Sequence, residues 1–338
     1  MSRSDRMRAD LDRGFEALES GRLEAAAQIV ERCRRIDRRN PDVVALAAAV
    51  ADADGNVDES LAQYRLLQEL RPDDPMPRIS IARIELHDLE DPDAALDTLE
   101  KAFEFIDDEV DLIEGIYVRA EALLARDEPA QAREALAELS TSVIEDGTLA
   151  LDLAGLALAA EDFAAARRWI DAAKKADPAL AADAAHLLGS VCEDSGDRDG
   201  MIAAWLETRR LDLAAAPGHL QISDDEVERI AVATLHELPA NIREKLERVP
   251  ILIDDIPSED LVQEGFDPRS LGLFTGIPMP EQGELAPSVT NIRLFKRNLE
   301  SAAHDVEHLA EEIRITVLHE TAHYFGLDED DLEALGLD

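Results

Sequence analysis

The chain has 338 residues, 46% of them apolar, which is enough for two domains or for one domain plus a repeat array, and rules out disorder as its main theme. Asp and Glu number 75 against 34 Lys and Arg, and the net charge of −41 repels phosphate backbones and anionic lipid headgroups, so it excludes nucleic acid and membrane surfaces as partners. A neutral or basic polypeptide is the expected partner instead.

Two cysteines, Cys33 and Cys192, stand far apart at helical positions and are read as small core residues rather than a disulfide framework. The first fifteen residues contain no apolar leader, and no run approaches 18 apolar residues, so a cytoplasmic location is expected.

From the N-terminus to about residue 220 the sequence repeats itself. LESGRLEAAAQIVERCRRID (18–37), ADADGNVDESLAQYRLLQELRP (51–72), LAAEDFAAARRWIDAAKKADP (158–178) and CEDSGDRDGMIAAWLETRRLD (192–212) share one pattern. One helix ends, a Gly or acidic residue turns the chain, a small residue follows five positions on, and a bulky residue four after that. The small-residue position falls at Ala26, Ser60, Ala95, Ala132, Ala166 and Met201, giving steps of 34, 35, 37, 34 and 35. The bulky followers are Val30, Tyr64, Leu99, Leu136, Ile170 and Trp205, placed to fill the gap between helix pairs. At the turn, Gly21, Gly55 and Gly196 alternate with Glu90, Asp127 and Glu161. This period resembles the tetratricopeptide repeat, a 34-residue helix-turn-helix unit. The resemblance implies a helical superhelix of about six units over residues 1–218 that binds polypeptides. With 48 acids and 25 bases in that span, its surface is expected to be negative.

Pro217 and Gly218 end the helical run, and Ser223 followed by Asp224, Asp225 and Glu226 reads as a helix N-cap with acids in its first turn. The domain boundary is therefore set at 218/219. The first strand-like runs come later: VPILIDD (249–255), LGLFTGIP (271–278) and TNIRLFKR (290–297). A last long helix is expected from Asn298 or Ser301 to Phe325, stopped by Gly326. The fold class is thus mostly α, a repeat array followed by a small α+β module over 219–338.

On that last helix, His319-Glu320-Thr321-Ala322-His323 places two imidazoles one turn apart with a carboxylate beside them. In zinc hydrolases this spacing lets both rings bind the metal while the carboxylate, not itself a ligand, takes a proton from water. Fifteen residues follow His323, so a third ligand from downstream must come from Asp328, Glu329, Asp330, Asp331 or Glu333. His304 and His308 are also four apart, but charges surround them and no glycine turn follows, so they are read as a solvated helix face. His87, His186, His219 and His236 are isolated, and Arg293, Lys296 and Arg297 are read as solvent-facing, with a substrate-facing place as the alternative.

The stretch TVLHETAHYFGLDE resembles the extended zincin signature H-E-x-x-H-x-x-G-x-x-(D or H), and residues 223–338 are similar to the small bacterial minimal zincins. The resemblance implies zinc held by His319, His323 and Glu329, with Asp328 as the fallback, Glu320 as general base and Gly326 as the turn. Glu at the third-ligand position departs from the usual Asp or His. The implied function is a zinc-dependent peptidase whose repeat array brings polypeptide to it, with LGLFTGIP holding an extended substrate by strand addition. The alternative is a scaffold whose zincin-like module binds peptide or metal without turnover.

Overall fold

In the computed structural model, residues 3–246, 249–276 and 291–326 are described. The chain folds as two compact units, Met1–Ala176 and Asp177–Asp338.

The first unit is five helix pairs: α1 (Arg3–Glu19) with α2 (Leu23–Arg34), α3 (Pro41–Ala53) with α4 (Val57–Leu70), α5 (Met76–His87) with α6 (Pro92–Phe103), α7 (Glu109–Ala125) with α8 (Pro129–Ala137), and α9 (Gly147–Ala159) with α10 (Phe163–Ala176). Each pair closes on itself, and the second helix of each packs against the first of the next. Local chemistry starts the helices: Asn40, Asn56, Asp91, Asp108 and Asp146 each accept hydrogen bonds from backbone N–H groups in the first turn that follows. The turns inside the pairs are left-handed, as the repeat pattern requires. Gly21 and Gly55 have φ of 68° and 69°, and Glu90, Asp127 and Glu161 hold 51°, 58° and 56° without a glycine's freedom. Ala26, Ser60, Ala95, Ala132 and Ala166 are fully buried where the helices approach most closely.

The second unit begins with another such pair, α11 (Ala181–Asp194) and α12 (Arg198–Ala214), its turn at Gly196 (φ 75°) and its close approach at Met201, 5% exposed. There follow α13 (Asp224–Glu237), capped by Ser223, then α14 (Ala240–Leu246), β1 (Ile251–Asp254), α15 (Glu259–Glu264), β2 (Gly272–Thr275), β3 (Asn291–Phe295), α16 (Lys296–Ala302) and α17 (Val306–Tyr324). The sheet order is β1-β3-β2, with β1 parallel and β2 antiparallel to β3. Its core joins Ile292 and Leu294 of β3 to Val227 and Ala231 of α13 and to Leu309, Ile313 and Val317 of α17.

This unit starts some forty residues before the composition change at 218/219, because α11 and α12 are fastened to the strand-bearing part. The Arg269 guanidinium donates two bonds of 3.0 Å to the Asp212 carboxylate and one of 2.7 Å to Asp183 Oδ1. His186 Nε2 stands 2.9 Å from Asp267 Oδ1, Arg198 donates to the Glu264 carbonyl and Arg209 to that of Pro257. Val262 of α15 is buried with Cys192, Met201 and Trp205.

The expected single last helix is two. Ala303 takes an extended conformation, and the Asp305 side chain accepts a hydrogen bond from His308 N, so α17 gets an N-cap of its own. Among the described residues no helix is long and apolar enough to cross a membrane. Cys33 and Cys192 are both buried.

Candidate metal centre

The site is built on α17, which starts at the Asp305 cap and stops at Gly326, whose φ of 80° turns the chain out of the helix. Leu309, Ile313 and Val317 anchor the helix in the core of its unit. Beside that stripe, Thr316, Glu320 and Tyr324 lie one turn apart and face β2. A Cβ added at Gly272 would fall 2.6 Å from Thr316 Cγ2 and 2.8 Å from Glu320 Oε1, and Tyr324 meets Phe274 edge-on with ring centroids 5.9 Å apart. Glu320 is thus held, 6% exposed, against the backbone of β2.

His319 and His323 stand on the half-buried flank of the same face. Their Nε2 atoms are 3.0 Å apart and the rings meet at 79° with centroids 4.7 Å apart. Two imidazole nitrogens bound to one tetrahedral zinc at 2.0–2.1 Å would lie ~3.3 Å apart, so this convergence fits a shared ion. Among the described residues no group of three or more His, Cys, Asp or Glu side chains forms a metal cage. The expected third ligands, Glu329 and Asp328, lie outside the described residues, as do Asp330, Asp331 and Glu333.

The competing histidines are engaged elsewhere. His308 Nε2 lies 3.0 Å from Glu312, His304 Nε2 lies 3.4 Å from Asp305, and the His304 ring stacks at 4.3 Å on that of His308. His87 pairs with Glu121 at 3.3 Å and His219 Nε2 lies 3.4 Å from the His304 carbonyl oxygen. The three late cations, expected to face solvent, serve as structural ties: Arg293 pairs with Asp254 at 2.7 Å, Lys296 with Asp224 at 2.6 Å, and Arg297 donates to the Ala215 carbonyl. Burial raises the Asp267 carboxyl, but hydrogen bonds from His186 and from Arg269 N outweigh it, and the group ends below its ordinary range. Sequence reasoning missed Gly272, although a glycine inside a strand run is a signal of close backbone approach.

Fold and site together define a tetratricopeptide-like helical array joined to a zincin-like α+β module. Residues 246–337 match the family model described as zincin-like metallopeptidase. The helical part is similar to the crystal structure of PilW, a widely conserved type IV pilus biogenesis factor, with 12% identity over 62% of this chain and 94% of that one at a TM-score of 0.52. Pseudomonas aeruginosa PilF aligns with 20% identity over 62% of this chain and 93% of that chain at 0.49. YrrB, a tetratricopeptide protein with an unusual peptide-binding site, aligns with 14% identity over 54% and 91% at 0.42. PilW bears on the fold alone. No curated protein sequence matches the chain.

Proposed function

We propose that the chain is a zinc-dependent peptidase whose repeat array binds polypeptide. The observation that carries this reading is the convergence of His319 and His323 Nε2 at 3.0 Å, with the buried Glu320 carboxylate one residue away against β2. His319, His323 and a carboxylate from Glu329 or Asp328 would hold the metal. When bound, zinc supplies Lewis-acid polarisation of the scissile carbonyl and of the attacking water. Glu320 accepts that water's proton and passes it to the leaving amine, work suited to a carboxylate fixed by packing on both sides. Among the described residues β2 is an edge strand, and its outer backbone groups can pair with an extended substrate, which would bind through main chain more than side chain.

The repeat helices support a neutral or basic partner. Asp52, Asp111 and Asp152, on the first helices of their pairs, are raised by partial desolvation and then by neighbouring carboxylates, with Arg83 and Ser60 opposing the shift at Asp52, and a bound cation would favour their charged forms.

Metal analysis of the purified protein, followed by peptide cleavage with wild type and Glu320→Gln, tests this. About one zinc per chain in both proteins is expected, with cleavage falling by roughly 100-fold or more in the variant. Zinc-loaded proteins that cleave alike remove Glu320 from the chemistry. Zinc without any turnover leaves a binding scaffold.

A further inference from the structure

The strongest departure from the protein's acidity lies in the first repeat. Residues 32–39, RCRRIDRR, hold five arginines against one acid, Asp37, in a chain of net charge −41. Arg34, Arg35, Arg38 and Arg39 line an open cleft of about 700 Å³ together with Glu59, Gln63 and Leu66. Arg34 is engaged, 2.9 Å from Glu59 and 3.6 Å from Glu31, and Arg32 lies 3.9 Å from Asp10. Arg35, Arg38 and Arg39 are exposed and have no carboxylate partner among the described residues.

Helix stability does not account for this placement. Arg32 and Arg34 sit in the last turn of α2, where cations suit the helix dipole. Arg38 and Arg39 instead precede Asn40, the N-cap of α3, at a positive helix end that disfavours them. Asn40 already satisfies Asp42 N and Val43 N, so the arginines are not needed there as caps. Their effect is a concentrated positive field beside a cleft.

We propose that this cleft binds an acidic peptide segment. Guanidinium groups take carboxylates through paired N–H donors, and Leu66 offers an apolar contact for the peptide's aliphatic parts. At physiological salt a charge is felt over about 8 Å, so a short ligand seated in the cleft experiences the arginines, whereas a nucleic acid or membrane would also meet the acidic remainder. Glu59 competes for Arg34, so a ligand must bring more than one carboxylate to displace it.

Fluorescence anisotropy of a labelled hexaglutamate peptide with the full chain, at ~50 mM and ~300 mM salt, tests the assignment. Micromolar binding at the lower salt is expected. The triple variant Arg35→Gln, Arg38→Gln, Arg39→Gln, which changes exposed side chains alone, should weaken it roughly tenfold. Glu59→Gln, which removes the nearer of Arg34's two carboxylate partners and one negative charge from the cleft, should tighten it by about threefold. Absence of binding to the wild type, equal affinity in the triple variant, or tighter binding of a single-stranded oligonucleotide or of inorganic triphosphate overturns the proposal.

Discussion

Gly272→Ala probes the contact between β2 and α17 with a single methyl group. The new Cβ would lie 2.6 Å from Thr316 Cγ2, 2.9 Å from Glu320 Cγ and 2.8 Å from Glu320 Oε1, against a normal carbon–carbon contact of about 3.5–4.0 Å. Gly272 is not among the positive-φ glycines, so alanine meets no backbone strain there and the cost is steric. Relief requires roughly 1 Å of movement, either of β2 away from the helix or of Glu320 out of its place. Overpacking of this kind costs about 1–3 kcal/mol, which for a unit of this size lowers its Tm by roughly 2–10 °C. Calorimetry reads that loss, and, on the proposed peptidase function, peptide cleavage reads the displacement of Glu320. Thr316→Ser added to Gly272→Ala keeps the hydroxyl that donates to the Glu312 carbonyl and removes Cγ2. The double variant should regain part of the stability while cleavage stays low, because the contacts with Glu320 Cγ and Oε1 persist. A single variant with wild-type stability and wild-type cleavage would refute the claim that only glycine fits beneath α17.

Arg269→Leu leaves Asp183 and Asp212 without their shared cation, and because the guanidinium is partly exposed the expected loss is about 1–3 kcal/mol, measured by urea unfolding of the second unit. Asp267 has a depressed carboxyl, so its stabilisation is complete above the ordinary value of 3.8 and is lost as pH falls below it. Asp267→Asn should therefore be less stable at neutral pH and show a shallower loss in acid, a comparison made by thermal melts between pH 2 and 7. Glu90→Gly removes the left-handed strain at φ 51° and should raise stability by about 0.5 kcal/mol after the added chain entropy of glycine is subtracted. A fall in the melting temperature of that variant would contradict the strain.

The repeat array was legible because its constraint is local and recurs. Six turn positions, three glycines and three acids, all take positive φ, and the position five residues on is buried in every unit. Ser223 caps α13 and Gly326 ends α17 for equally local reasons. The break at Ala303–Asp305 was not legible, because the apolar spacing runs through it. What decides it is a side-chain cap at Asp305, together with the Asn298 amide, which donates to the Pro268 and Ser270 carbonyls and fixes α16 on its own line. Gly272 passed unread, and its position in a strand run could have shown only that something comes close, since Thr316 and Glu320 are more than forty residues away in sequence. The unit boundary was hidden for the same reason: composition marks where strands begin, whereas compactness follows ion pairs such as Arg269 with Asp183, 86 residues apart.

The fastening of α11 and α12 changes what counts as a self-sufficient piece of this protein. A fragment beginning at residue 219 would strip Arg269 of both carboxylates, His186 from Asp267, and the apolar cover from Val262. One beginning at 177 keeps all three. The last repeat thus serves two architectures at once, continuing a period in the sequence while walling the strand-bearing module. Transplanting or shortening the array is therefore tolerable only up to the fifth pair.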